Sequence, residues 1–299
     1  MSQNAAWIAV DWGTTRLRAW AMSADDQVIE ARSSDDGMVG LTQADFAPTL
    51  VRLMGDYLGR ERMPVMACGM VGAKQGWAEA AYAAVPCAPP GIDQATRVQD
   101  AAFDLAILPG VKQDTPAEVM RGEETQIAGY LAQDPNFDGV LCLPGTHTKW
   151  VHISAGEIVS FRTAMTGELY ALLSTQSILR HGVGEGWDEE VFAEAMSSTL
   201  SKPETLAMTL FNIRAEGLLH GLSPTAATAR LSGLLIGAEL AAMRPYWLGQ
   251  RVVILGAEVL SKRYAAALQA QAVPAEMVGA EALTLAGLIA AQAHRKAAA

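Results

Sequence analysis

Cysteine is scarce in this chain. Three residues of that type, Cys68, Cys87 and Cys142, occur among 299. The number is odd and the spacing matches no metal-ligand pattern, which argues against a disulfide framework and points to a reduced, cytoplasmic setting. Positive charge is also short. Lys and Arg number 22 against 32 Asp and Glu, a formal net charge of -10, too acidic for general binding to nucleic-acid backbones. A small anionic ligand is still admissible, because local charge governs that, and Arg16 and Arg18 supply it near the amino end. A long hydrophobic run is missing too. The most apolar helical stretch, "LSGLLIGAELAAM", is interrupted by Glu239 and is too short to cross a bilayer, so no membrane partner is expected. The opening "MSQNAAW" lacks the basic-then-apolar order of a secretory signal. Neither a P-loop lysine motif nor a dinucleotide fingerprint occurs.

What is present is an ordinary globular composition, 51% hydrophobic and 18% charged, at a length suited to one large domain or two medium ones. Near the start, Ile8, Ala9 and Val10 read as the end of a buried strand, and Leu17 and Ala19 alternate with polar neighbours as a second strand. Between them lies a polar turn. Gly13 lets backbone approach a ligand, Thr14 and Thr15 offer donors, and Asp11 adds a fixed negative charge. Donors beside a carboxylate suit a phosphate accompanied by a metal ion; a plain polar hairpin turn is the alternative.

Further along, "VIEARSSDDG" reads as a strand, "QADFAPTLVRLMGDYLGR" as a helix, "PVMACGMVGAKQGW" as a strand entering a glycine-rich loop, and "DLAILPG" as another strand. The segment "TPAEVMRGEETQIAGYLAQ" is expected as one helix, with Thr115 as N-cap and Pro116 at its first position. The turn "PNFDG" sets an expected boundary between residues 1–136 and 137–299. The second half opens with strands "VLCLPG", "THTKWVHIS" and "EIVSFRTA", continues mostly helical from about Thr166 to Leu248, and closes with strand, turn and helix in "RVVILGAEVLSKRYAAALQAQ" and a helix in "AEALTLAGLIAAQAH". One pattern recurs: "VDWGTTRLRAW" is matched by "CLPGTHTKWVHI", each with a glycine, threonines and a basic residue between strands. The chain reads as two related halves, each contributing one turn.

These residues carry a resemblance. "DWGTTRLR" and "GTHTKW" resemble the two phosphate loops of the actin, Hsp70 and sugar-kinase superfamily, "VILGAEVLSKRYAAAL" its adenosine segment, "GAEALTLAGLIAA" its late connecting helix, and "CGMVGAKQGW" the sugar-side loop of its carbohydrate kinases. With "MRGEETQIAG", "PGTHTKWV" and "TGELY" added, the order resembles the 2-dehydro-3-deoxygalactonokinase family. The resemblance implies an α/β, two-lobed actin-like ATPase (ribonuclease H-like) fold, with a mixed sheet and flanking helices in each lobe. It also implies ATP and Mg2+ as cofactors and a small sugar acid, 2-dehydro-3-deoxy-D-galactonate, phosphorylated at its terminal (C6) hydroxyl. A kinase for another sugar acid or sugar, such as 2-keto-3-deoxygluconate, and an actin-like or chaperone-like ATPase remain the alternatives. The oligomeric state stays open, a homodimer included.

Carried onto this chain, the resemblance assigns Gly13, Thr14, Thr15, Gly145, Thr146 and Thr148 to the ATP phosphates and Gly256 and Ala257 to adenosine, a plain strand-to-helix turn being the other reading. Asp11 would organise Mg2+ through water. Arg16 and Lys149 would neutralise charge in transfer, or simply be exposed strand charges. Gly122 aligns with a glycine that precedes the base of related carbohydrate kinases, which puts Glu123 at the base position, a glutamate where most relatives carry aspartate. Glu124 competes for the role, and both could instead serve the helix dipole. Lys74 and Gln75 would enclose the substrate, Trp77 would wall it or pack in a core, and Glu168 would bind a hydroxyl or begin a helix. Lys74, Arg18, Arg162 and Arg121 are the cations available to the substrate carboxylate. His147 and His152, five apart, point to opposite faces of a strand and do not suit one metal.

Overall fold

The computed structural model describes residues 5–58, 62–100 and 102–298, with side chains as far as residue 293. The chain divides into two compact units, one of residues 1–137, 154–160 and 280–299, the other of residues 138–153 and 161–279.

In the first unit, β1 (Trp7–Trp12), β2 (Leu17–Met22) and β3 (Val28–Ser34) form the expected meander. They are followed by α1 (Phe46–Met54), β4 (Met63–Gly69), β5 (Tyr82–Ala84), β6 (Thr96–Gln99) and β7 (Phe103–Ile107). Gly59 and Arg60, at the end of the helix expected there, lie outside the described residues. The sheet order is β3-β2-β1-β4-β7-β6, with β1 antiparallel to β2 and parallel to β4. Strand periodicity decides which face each β1 residue serves. Ile8, Val10 and Trp12 join Phe46, Leu50, Trp77 and Phe103 in one core. Trp7 and Ala9 join Met66, Cys68 and Leu288 on the other face. Each large side chain so buried contributes roughly 1.5–3 kcal/mol. Asp11 shares the parity of Trp7 and Ala9, so it sits where that apolar layer ends.

The segment expected as one helix from Thr115 is divided. β8 (Gly110–Gln113) and β9 (Glu118–Met120) pair antiparallel, and with β5 they make a three-stranded sheet. Pro116 lies in their turn, where its carbonyl accepts from Gln113 Nε2 at 3.1 Å. The helix, α2 (Glu123–Leu131), starts only after Gly122, whose φ of 106° ends the extended chain. Ladder pairing of Val119 and Met120 thus overrides the helical spacing of the longer segment.

The second unit repeats the plan. β10 (Gly139–Leu143), β11 (Thr148–Ser154) and β12 (Glu157–Ala164), the last two apart from residues 154–160, are followed by helices α3 (Thr166–Thr175), α4 (Glu189–Ser201), α5 (Leu206–Leu219), α6 (Pro224–Ala242) and α7 (Arg244–Trp247). Then come β13 (Val252–Gly256), α8 (Glu258–Gln269) and β14 (Ala275–Gly279). The sheet order is β12-β11-β10-β13-β14, with β10 antiparallel to β11 and parallel to β13. The last helix, α9 (Ala280–Ala298), groups with the first unit rather than with the second half of the sequence. It packs on α2, where Gly129 and Gly287 let the two backbones meet. Among the described residues no helix is long and apolar enough to cross a membrane.

Candidate active site

In the first unit the polar turn follows β1 directly. Gly13 N–H donates to Arg16 O at 2.8 Å and closes it. The chain then returns beneath it: Met38 N–H donates to Gly13 O and Val39 N–H to Thr14 O, each at 3.0 Å. Gly37 makes this possible, because a Cβ there would overlap the backbone of Thr14 and Thr15. With two carbonyls occupied, Thr14, Thr15 and Arg16 remain exposed, and Arg16 lies 3.6 Å from Asp35.

Asp11, half-buried at the strand end, is already partnered. Arg18 Nε donates to its Oδ2 at 3.1 Å, and Arg18 Nη2 reaches the same oxygen. Arg18 also approaches Glu281, on α9, at 3.6 Å. On Oδ1 the nearest donor is Cys68 Sγ at 3.9 Å, a weak contact. Oδ1 therefore fits a hard cation that takes few protein ligands, as Mg2+ does when phosphate and water supply the rest. Among the described residues no cluster of three or more His, Cys, Asp or Glu forms a metal cage.

Gly69 and Gly122 bring α2 to this carboxylate. A Cβ on Gly69 would lie 2.7 Å from Trp12 O and 3.4 Å from Asp11 Oδ1, and one on Gly122 would lie 3.4 Å from Gly69 Cα. The first residues of α2 are consequently neighbours of Asp11. Burial, with the Asp11 and Glu124 carboxylates nearby, pushes the Cys68 thiol well up. Glu123 and Glu124 have different environments. Glu123 is half-buried and accepts from Arg121 N–H at 3.0 Å. Glu124 is 2% exposed, and both its oxygens accept from Gly122 N–H, at 2.8 and 2.7 Å. Burial first, and then the Glu123 charge, raise the Glu124 carboxyl to about 8, so it holds its proton at neutral pH. That corrects the expectation of Glu124 as a substrate ligand: it is an inward strut of the helix start.

On the glycine-rich loop, Lys74 and Gln75 are exposed. Trp77, expected to wall the substrate, instead packs in the core, with its ring 6.1 Å from Trp12, 6.0 Å from Phe46 and 5.5 Å from Phe103. Arg121 donates to Ala80 O at 2.8 Å and lies over the Tyr82 ring.

The second unit builds its turn differently. Glu168 N–H donates to Thr146 O at 2.9 Å, and Gly167 sits so close that a Cβ would collide with Gly145 O. The start of α3 is thereby docked on the turn. His147 Nε2 lies 2.5 Å from Glu168 Oε2, so Glu168 has a partner on the turn itself. Gly145 is half-buried and Thr146 exposed. Thr148, expected at a phosphate, is fully buried, with Oγ1 3.0 Å from the Tyr264 hydroxyl. Lys149 is 4% exposed, which removes its reading as an exposed strand charge. Alternation along β11 sends the two side chains to opposite faces of the sheet, and both faces are covered there.

A cavity of about 320 Å³ adjoins this turn, lined among others by Gly145, Thr146, Gly167, Tyr170, Arg263 and Tyr264. Arg263 also lies over the Trp187 ring at 3.8 Å, and burial lowers its pKa. Gly256 and Ala257 do not line this cavity; the next turn of α8 does. Gly256 is buried with its Cα turned to Ser261 and Pro144, while Ala257 is exposed as the N-cap of α8. No local sequence pattern singles out Tyr170, Arg263 or Tyr264, and Glu239 shows in the sequence only as a break in an apolar run. A lone carboxylate in such a run is itself a signal, because burial obliges it to find partners.

A family model described as 2-keto-3-deoxy-galactonokinase matches residues 11–291. The 2-dehydro-3-deoxygalactonokinase of Escherichia coli (strain K12) is 38% identical over 290 residues, 95% of this chain and 97% of that protein. A crystal structure from Sinorhizobium meliloti, provisionally titled a 2-dehydro-3-deoxygalactonokinase, is 36% identical with a TM-score of 0.91, over 97% of this chain and 99% of that one. The activator of 2-hydroxyisocaproyl-CoA dehydratase from Clostridium difficile, solved with bound ADPNP, is 10% identical with a TM-score of 0.50, over 98% and 96%. That last likeness concerns the fold alone, which is the actin-like ATPase fold.

Proposed function

The chain belongs to the 2-keto-3-deoxy-galactonokinase family, and on that premise we propose that it transfers the γ-phosphoryl group of ATP to the C6 hydroxyl of 2-dehydro-3-deoxy-D-galactonate, in galactonate catabolism. The observation that carries this reading, beside the family match, is the grouping of Asp11, Gly69, Gly122 and Glu123 at one end of the first unit's sheet. Phosphoryl transfer asks a protein mainly for position and for charge neutralisation.

Glu123 is the base. It orients the hydroxyl and accepts its proton as the oxygen bonds to phosphorus and ADP leaves. Its half-buried carboxylate beside a proton-holding Glu124 makes it the better acceptor of the pair. Asp11 holds Mg2+ through water, and the cation, when bound, offsets charge on the phosphates. Arg18 fixes the Asp11 carboxylate. In the first unit Gly13, Thr14 and Thr15 with Arg16 are the phosphate-binding turn; in the second unit Gly145 with Thr146 is the corresponding turn, beside the cavity next to α8 that takes the nucleoside. Lys74 and Gln75 meet the sugar acid; in the second unit Glu168, braced by His147, is the candidate hydroxyl ligand. The cationic Lys74 and the carboxylate of the substrate are complementary in charge.

A coupled assay of ADP release, run with ATP and Mg2+ across a panel of sugar acids and neutral sugars, tests this. The highest kcat/KM is expected for 2-dehydro-3-deoxygalactonate. A higher value for 2-keto-3-deoxygluconate or for a neutral sugar reassigns the substrate, and ATP hydrolysis indifferent to all of them ends the kinase reading.

A further inference from the structure

Behind the second turn lies a buried carboxylate that the proposed chemistry leaves unused. Glu239, on α6, is 5% exposed. Its Oε1 accepts from Trp150 Nε1, on β11, at 2.7 Å. Its Oε2 accepts from the Tyr264 hydroxyl, on α8, at 2.8 Å, and from the Thr166 hydroxyl at the start of α3. Tyr264 in turn lies 3.0 Å from Thr148 Oγ1. A tyrosine hydroxyl has one hydrogen, and here it goes to Glu239, so Thr148 must be the donor to Tyr264. Every proton in the network therefore runs toward one carboxylate, directly or through Tyr264.

Position gives the network a purpose beyond stability. Thr166 and Tyr264 also line the cavity, next to Gly145, Thr146 and Gly167. Thr148 and Trp150 stand on the strand that leaves the turn. Four elements that frame the turn and the cavity are thus tied at a single acceptor. We propose that Glu239 is a positioning residue for the nucleotide, holding the turn at 145–148 and the cavity wall in register without touching ATP. The inference rests on the reading of that cavity as the nucleotide site.

The requirement is for a carboxylate rather than any polar side chain of that size. In Glu239→Gln, one of the two acceptor positions becomes an NH2 donor. Placed at Oε2, it would face the Thr166 and Tyr264 hydrogens; placed at Oε1, it would face the Trp150 N–H. Either orientation leaves donors opposed and forces at least one partner to turn away. A buried donor left without its acceptor bears the full cost of its desolvation, which an exposed one does not.

The test measures steady-state constants for both substrates and the calorimetric Kd for ATP in the whole enzyme. Glu239→Gln is expected to raise KM and Kd for ATP about tenfold or more while the sugar-acid KM moves less than about twofold. Thr148→Val and Tyr264→Phe, which keep shape and remove one hydroxyl each, are expected to shift the ATP constants the same way by about threefold. Equal rises in both KM values, or lower melting temperature with unchanged ATP binding, would overturn the proposal. If Glu239→Gln does not fold, the two hydroxyl variants decide it. A wild-type enzyme that binds ATP and turns over no sugar acid would sink the substrate reading alone, since calorimetry on the variants still decides this one. A wild-type enzyme that binds no ATP would overturn both.

Discussion

The two units solve one geometrical problem with different materials. Each runs a strand into a glycine–threonine turn and back into an antiparallel partner, in sheets of matching order. The first turn is pinned by backbone bonds from residues 38 and 39, and its neighbours are charges: Asp11 with Arg18, then Glu123. The second is pinned by the docked start of α3 and backed by a buried network on Glu239. A backbone-pinned turn leaves its side chains exposed and available for chemistry. A turn backed by buried polar groups is stiff, because each partner fixes the next. On the proposed function, the difference amounts to a division of labour: carboxylates for the chemistry in the first unit, a stiff support for the nucleotide in the second.

That division can be broken at its strongest point by Glu123→Gln. Removal of a positioned base is expected to lower kcat on the order of 10²–10⁴-fold, with KM for ATP nearly unchanged. The measurement is steady-state kinetics with each substrate varied. A rise in KM for ATP in place of the loss in kcat would mean that Glu123 serves nucleotide binding and is not the base. Asp11→Asn is the next test. It removes the charge that Arg18 orients, and we expect kcat to fall on the order of 10²-fold. Half-maximal activity should also require more Mg2+, while the sugar-acid KM holds. If added Mg2+ leaves the variant and the wild type with the same midpoint, Asp11 does not serve the cation.

Much of this arrangement could be read from the sequence, and what escaped has a common cause. The strand–turn–strand pairs were legible because alternation and a Gly-Thr-Thr turn are local signals, as at Ile8 to Leu17. The helix start at Glu123 was obscured, because Thr115–Pro116 mimics an N-terminus and only the pairing of β9 with β8 shows that the chain there is extended. Trp77 and Thr148 carry residue types that suit a ligand. Their burial depends on Phe46, Phe103 and Tyr264, which lie 31, 26 and 116 residues away and which no local pattern connects to them. Glu239 was visible as a charge in an apolar helix, yet its partners Trp150, Thr166 and Tyr264 come from three other elements. Local chemistry was readable, and long-range burial was not.

The smallest expected effect on turnover comes from Glu124→Gln, and its mark lies elsewhere. The amide keeps a carbonyl for Gly122 N–H and resembles the protonated acid that the site already holds, so kcat should change less than about tenfold. Stability, by contrast, should change its dependence on pH. The Glu124 carboxyl is raised from 4.5 to about 8 in the folded chain. Below pH 4.5 the folded and unfolded chains both keep the proton, and the wild type is at its full stability with respect to this group. Between about 4.5 and 8 the unfolded chain releases the proton while the folded chain retains it, so stability falls as pH rises, by up to about 1.4 kcal/mol per pH unit. Above pH 8 both are ionised and the loss is complete. Glu124→Gln has no proton to release, so its urea midpoint should decline less than the wild type's between pH 6 and 9. Parallel declines would show that Glu124 is ionised in the folded enzyme; the two glutamates would then compete on equal terms for the base, and the contrast between a reactive Glu123 and a structural Glu124 would be lost.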